Sequence, residues 1–333
     1  MAWLLFVVSA AIITFAAVQL AKYGDVIAIR TGLGGVAVGT LLLGAATSLP
    51  EILMLVNALS AGLPGLAVGN LLGSNMFNVL ILAIMDLSHP KKRILRKAAM
   101  KHALSGVLSI LLISMVVFYI GADLPYHVHV GPWAVGLDSV TIIAVYVLAV
   151  RQLRRESRYQ PLPDEPEELP PGLPGLWPAV IGFASSAALL VIVTPWLVSA
   201  SDEIAKITGV GTTFIGTTLV AMVTSIPELV TTLSAVRIGA DDMAIGNVFG
   251  SNMFNMLLIG VADLLLYSGQ FIGAIDNAFM LVGMLGLIMS VLAVVGNLAR
   301  LERRIWFIEI DAALLILIYF SGMALLYIRG LTG

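Results

Sequence analysis

Two carboxylates lie deep in apolar sequence, Glu51 in "GTLLLGAATSLPEILM" (39–54) and Glu228 in "GTTLVAMVTSIPELVT" (216–231). Each directly follows a proline, Pro50 or Pro227, and each is preceded by a hydroxyl pair, Thr47 and Ser48 or Thr224 and Ser225. At spacings of three and four residues, hydroxyls and carboxylate share one helix face. Proline has no N–H, so the carbonyls near Ala46 and Val223 lose their usual partner and the chain is expected to kink. A little further on, "GNLLGSNMFN" (69–78) and "GNVFGSNMFN" (246–255) add Ser74 with Asn78 and Ser251 with Asn255, again four apart. The binding atoms in this set are oxygens; these segments hold no histidine, and the chain has no cysteine. Such a set suits a hard cation: Ca²⁺ takes roughly six to eight oxygen ligands, whereas zinc and copper favour imidazole and thiolate. Two glutamates neutralise one divalent cation. Without a cation they would repel one another, and would protonate or take up Na⁺.

The elements that must position these groups are membrane spans. Of the 333 residues, 59% are hydrophobic and 11% charged, against about a quarter charged in soluble domains. Apolar stretches of about 20 residues recur along the chain, the length needed to cross a bilayer. Ten spans are expected, at 2–21, 33–59, 65–87, 102–121, 132–150, 176–199, 210–236, 243–267, 277–299 and 306–328. The first lacks a positive n-region and reads as a retained span rather than a cleaved leader. Between spans, 16 of the 18 Lys and Arg fall on one side, leaving only Lys206 and Arg329 on the other. The positive-inside rule makes the crowded side cytoplasmic and both termini extracellular. No basic patch points to nucleic acid.

The two glutamate segments are copies. At an offset of 177 residues, 39–86 and 216–263 share 20 identities in 48 positions, ending at Asp86 and Asp263. Asp25 and Asp202 extend the echo upstream. The chain therefore reads as an all-α polytopic membrane protein of two five-span halves, 1–150 and 176–333, joined by a linker at 151–175. An odd number of spans per half inverts the second half relative to the first. Inverted repeats with broken helices are typical of secondary transporters, whose site lies near the midplane between halves.

At "GTLLLGAATSLPE…GNLLGSNMFN" and "GTTLVAMVTSIPE…GNVFGSNMFN" the chain resembles the paired α-repeats of the cation/Ca²⁺ antiporter superfamily, and within it prokaryotic Na⁺/Ca²⁺ exchangers. The resemblance spans essentially the whole chain. It implies Glu51 and Glu228 as central Ca²⁺ ligands. It also implies Na⁺ and Ca²⁺ sites lined by Thr47, Ser48, Ser74, Asn78, Thr224, Ser225, Ser251 and Asn255, with backbone carbonyls near Gly44 and Ala221. Proton-coupled Ca²⁺ exchangers tend instead to carry Gly-Asn-x-x-Glu, so Thr-Ser-x-Pro-Glu in both halves favours sodium. K⁺-dependent relatives carry Asp at the position of Asn255, so two asparagines argue against K⁺ co-transport. The resemblance implies transported Na⁺ and Ca²⁺, no cofactor, and a prokaryotic inner membrane.

Several polar residues read as structural. The G-x-x-x-G spacings at Gly69 and Gly73 and at Gly246 and Gly250 suit close helix packing. Asp86 and Asp263 are expected to have a structural or vestibule role rather than to coordinate the ion, and Asp138, Glu309 and Asp311 to be structural. His127 and His129 belong to an external loop, and the proline- and acid-rich 161–175 to a solvated linker. An intramembrane hydrolase is disfavoured, since no His-Glu-x-x-His or Gly-x-Ser-x-Gly motif accompanies the glutamates. A passive channel is disfavoured by the inverted halves.

Overall fold

The computed structural model describes residues 1–31, 47–88, 94–122, 127–130, 133–158, 174–237, 241–265, 271–299, 304–305 and 308–328. The described chain is helical apart from two short antiparallel hairpins. Helix α1 (Ala2–Thr31) is followed by α2 (Leu49–Ser60), α3 (Pro64–Ser88) and α4 (Ile94–Ala122). After β1 (His127–Val130) and β2 (Trp133–Gly136) comes α5 (Leu137–Arg158), then α6 (Leu176–Thr208). A segmented helix follows: α7 (Thr212–Ile215), a π turn at Gly216–Val220, α8 (Ala221–Thr224) and α9 (Ile226–Arg237). Helices α10 (Asp241–Leu265), α11 (Phe279–Ala299) and α12 (Ile310–Ile328) complete the chain, with the hairpin β3 (Arg304–Ile305) and β4 (Ile308–Glu309) before α12.

Among the described residues, eight helical segments are long and apolar enough to cross a membrane, with α2 a shorter apolar helix beside them. Span edges differ from the sequence expectation in places. Helix α1 runs ten residues past the expected edge at 21, to Thr31, and α6 runs past 199 to Thr208. The start expected at 132 is strand β2, and α5 begins at Leu137 and continues to Arg158, into the segment read as linker. The reason lies in the alternation His-Val-His-Val, a period-two pattern that favours a strand. His127 and His129 thus belong to β1 rather than a loop. The first part of the second expected span, 33–46, lies outside the described residues.

The core forms around α3 and α10. The apolar stretch of α3 is 94% buried and that of α10 72%, against 22% for α6. A helix apolar on every side needs neighbours on every side, and α3 packs against α2, α10, α11, α12 and the π-turn segment. Helices α1 and α6 pack along one another at the edge of the bundle.

Glycine makes the tightest of these contacts. On α3, Gly65, Gly69 and Gly73 recur every four residues on one face. A Cβ on Gly69 would stand 2.7 Å from the Thr213 carbonyl oxygen, and one on Gly73 2.7 Å from Thr217 Cα. From the facing side, a Cβ on Gly216 would stand 2.7 Å from the Leu66 carbonyl oxygen. Backbone therefore lies on backbone, as the small-residue spacing implied. In the second half, a Cβ on Gly250 would meet nothing within 4 Å among the described residues. The close-packing expectation holds for Gly69 and Gly73; at Gly250 a Cβ would meet no described residue, and 36–40, the copy of the segment that packs on Gly69 and Gly73, lies outside the described residues.

Candidate functional site

Both glutamates stand in the first turn of a helix that begins at a break. Ser48 and Ser225 adopt nearly the same non-helical turn, φ −85°, ψ 9° and φ −90°, ψ 3°. New helices then start, and the carbonyls of the two serines accept from Ile52 N–H and Leu229 N–H, each at 3.1 Å. Pro50 and Pro227 therefore occupy opening turns, where a missing N–H is harmless. They do not kink a continuous helix; the break falls at the serine two residues earlier. Pro227 still supplies no N–H to the Val223 carbonyl four residues back. Upstream, the Thr217 and Thr218 hydroxyls bond back to the Thr213 and Phe214 carbonyls at 2.8 and 2.7 Å. That competition with the α ladder accompanies the π turn.

The breaks bring the two halves together crosswise. Ser48 Oγ donates to Glu228 Oε1 at 3.4 Å, and the Thr47 and Ser251 hydroxyls also approach that carboxylate. Glu51 is approached by Thr224 and Ser225. Each carboxylate thus faces hydroxyls of the other half, and each residue is only 1% exposed. Ser74 Oγ lies 3.4 Å from Thr224 Oγ1, and Thr224 Oγ1 donates to Asn70 Oδ1 at 2.9 Å. The Ala221 carbonyl accepts the Ser225 N–H at 3.1 Å. Gly44 lies outside the described residues. Asp86 is buried and engaged within the protein, while the Asp263 side chain lies outside the described residues.

Six buried oxygens here make no hydrogen bond of good geometry among the described residues: Glu51 Oε2, Glu228 Oε2, Ser225 Oγ, Ser251 Oγ, Asn78 Oδ1 and Asn255 Oδ1. A buried polar atom without a partner costs about 1–3 kcal/mol. Four of the six belong to carboxylate or amide groups that can only accept at that atom. Such a cluster of oxygens, walled from solvent, has the chemistry to hold a hard cation.

Four asparagines escaped the reading of the sequence. Asn78 Nδ2 donates to Asn252 Oδ1, and Asn255 Nδ2 to Asn75 Oδ1, both at 3.0 Å. Asn75 Nδ2 reaches the Asn252 carbonyl at 3.5 Å, and Asn252 Nδ2 the Asn75 carbonyl at 3.4 Å. These pairs exchange under the 177-residue offset. Asn70 and Asn247 are also copies, yet Asn247 donates to Thr232 Oγ1 at 3.3 Å and leaves its own Oδ1 unpartnered. Identity between the repeats was the available signal for all four.

A fold of membrane-length helices around two crossed, buried glutamates is that of an ion transporter. The family model described as sodium/calcium exchanger protein matches residues 1–151 and 178–328, and the chain belongs to that family, one of transporters rather than enzymes. It is 29% identical over 276 residues to the putative antiporter CaxA of Alkalimonas amylolytica, covering 80% of this chain and 82% of that one. Against the sodium/calcium exchanger MaX1 of Methanosarcina acetivorans it is 50% identical over 74 residues, 22% of this chain and 21% of that one. The fold matches the crystal structure of an H⁺/Ca²⁺ exchanger, CAX, with a TM-score of 0.69 at 15% identity, covering 99% of this chain and 86% of that one. It also matches the sodium-calcium exchanger NCX_Mj, with a TM-score of 0.59 at 21% identity, covering 97% and 98%.

Proposed function

We propose that the protein is a secondary antiporter exchanging Na⁺ for Ca²⁺ by alternating access, with ions held between two inverted five-span halves, 1–150 and 176–333. The observation that carries this reading is the crossed pair of buried glutamates, each faced by hydroxyls from the other half. Glu51 and Glu228 supply the two negative charges that balance one Ca²⁺. Thr47, Ser48, Ser74, Asn78, Thr224, Ser225, Ser251 and Asn255 supply neutral oxygens, with backbone carbonyls near Gly44 and Ala221. Ca²⁺ accepts such a flexible oxygen shell.

Reciprocal hydrogen bonds are what a two-fold relation produces, residue i meeting j while the copy of j meets the copy of i. The four asparagine bonds follow that rule and support inverted halves. The Thr-Ser-x-Pro-Glu pattern in both halves, in place of the Gly-Asn-x-x-Glu of proton-coupled exchangers, supports sodium. Several Na⁺ would share ligands with one Ca²⁺, so the two ions compete. The charge bias of the loops supports both termini outside, and the match to a bacterial antiporter supports a prokaryotic inner membrane.

Uptake of radioactive Ca²⁺ into proteoliposomes tests the coupling. An outward Na⁺ gradient is expected to drive it and a pH gradient alone is not. Uptake driven by the pH gradient and indifferent to Na⁺ would establish proton coupling instead.

A further inference from the structure

We propose that Asn75 and Asn252 are positioning residues that aim the side-chain oxygens of Asn255 and Asn78 at the transported cation, each core helix setting a ligand carried by the other. The inference rests on the ion-site reading above and adds two residues to it.

An amide side chain has one accepting end and one donating end, and fixing one fixes the other. Asn78 gives its Nδ2 to Asn252 Oδ1 at 3.0 Å, so its Oδ1 must point away. That oxygen is buried and has no partner among the described residues. Asn255 repeats the arrangement, giving Nδ2 to Asn75 Oδ1 at 3.0 Å and leaving its Oδ1 unpartnered. Turning either amide over would set one acceptor against another and aim N–H groups at the site, which repels a cation.

Asn75 and Asn252 are themselves held. Each sends its Nδ2 to the backbone carbonyl of the other, at 3.5 and 3.4 Å, which keeps Oδ1 available as the acceptor. All four side chains are no more than 1% exposed, so water does not offer a substitute. Outer partners of this kind fix ligand orientation, and removing them typically weakens metal binding by about 10–100-fold.

The crossing gives the test. Ca²⁺ affinity is measured by titration calorimetry in detergent on monodisperse full-length protein. Asn75→Leu keeps the volume but removes the acceptor, and should weaken Ca²⁺ binding roughly tenfold. If Asn75 acts through Asn255, the substitution should change little further in an Asn255→Ala background, within about twofold. It should keep its full effect in an Asn78→Ala background. Asn252→Leu should show the opposite pattern, absorbed by Asn78→Ala and not by Asn255→Ala. General loosening of the helix contact would give the same loss in both backgrounds, and that result overturns the inference while leaving the ion site standing. Should Asn75→Leu not yield monodisperse protein, Asn75→Ser, too short to reach Asn255, takes its place in the same cycle. A wild type that neither binds nor moves Ca²⁺ removes the functional reading and this inference together.

Discussion

Single residues carry the chemistry, and the glutamates carry most of it. Each supplies half the charge opposing a buried divalent cation, so Glu51→Gln and Glu228→Gln should each cut Ca²⁺ exchange by more than ~100-fold, beyond the loss expected of an outer partner. Both variants should still elute as folded protein, since glutamine fills the same volume. Near-normal flux in either one would remove it from the site. The glutamates and their hydroxyl neighbours were legible because carboxylates are rare in apolar sequence and the repeat doubled the signal. Asn75 and Asn252 were not. An amide's part depends on which groups lie opposite each end, and those groups sit 177 residues away along the chain. The location of the helix break was equally hidden. A proline suits the first turn of a new helix as well as a kink, and only the backbone angles at Ser48 and Ser225 decide between them.

At the scale of elements, α3 and its neighbours are tied by glycine. Gly73→Ala would force a methyl group against Thr217 and Ala221 and should destabilise by about 1–3 kcal/mol, the usual effect of overpacking. Gly250→Ala meets no described residue and gains helix propensity, so it should be neutral or stabilising by up to about 1 kcal/mol. Thermal melting of the two variants in detergent, side by side, checks this; equal losses would contradict the difference in packing between α3 and α10. The spacing alone made both glycine pairs look alike, because a sequence repeat cannot show which copy has a partner against it.

Orientation in the membrane is a property of the whole molecule. The chain has no cysteine, so single cysteines report topology without background. Substitutions at Leu95 and Glu156 should be shielded from an impermeant external thiol reagent, whereas one at Val128 should react. Labelling in the opposite sense would place the termini inside. The membrane class was legible from composition alone. Ten spans are the expectation from the apolar stretches; among the described residues eight segments are long and apolar enough, with the 12-residue α2 beside them, and α5 carries Arg151, Arg154 and Arg155 at its end. Helix length and hydropathy do not by themselves separate such elements from surface helices.

The unequal hydrogen bonding of Asn70 and Asn247 also bears on how freely the carrier turns over. In the proposed cycle the halves would exchange roles, and Asn247 Oδ1, without a partner among the described residues, would take a hydroxyl as Asn70 Oδ1 has taken that of Thr224. Because 20 of the 48 matched positions are identical, part of the free energy lost on one side would be recovered on the other. Keeping both arrangements above about one molecule in a hundred requires them to lie within roughly 3 kcal/mol of each other. Duplicated sequence achieves that balance by composition, and the ions need only tip it.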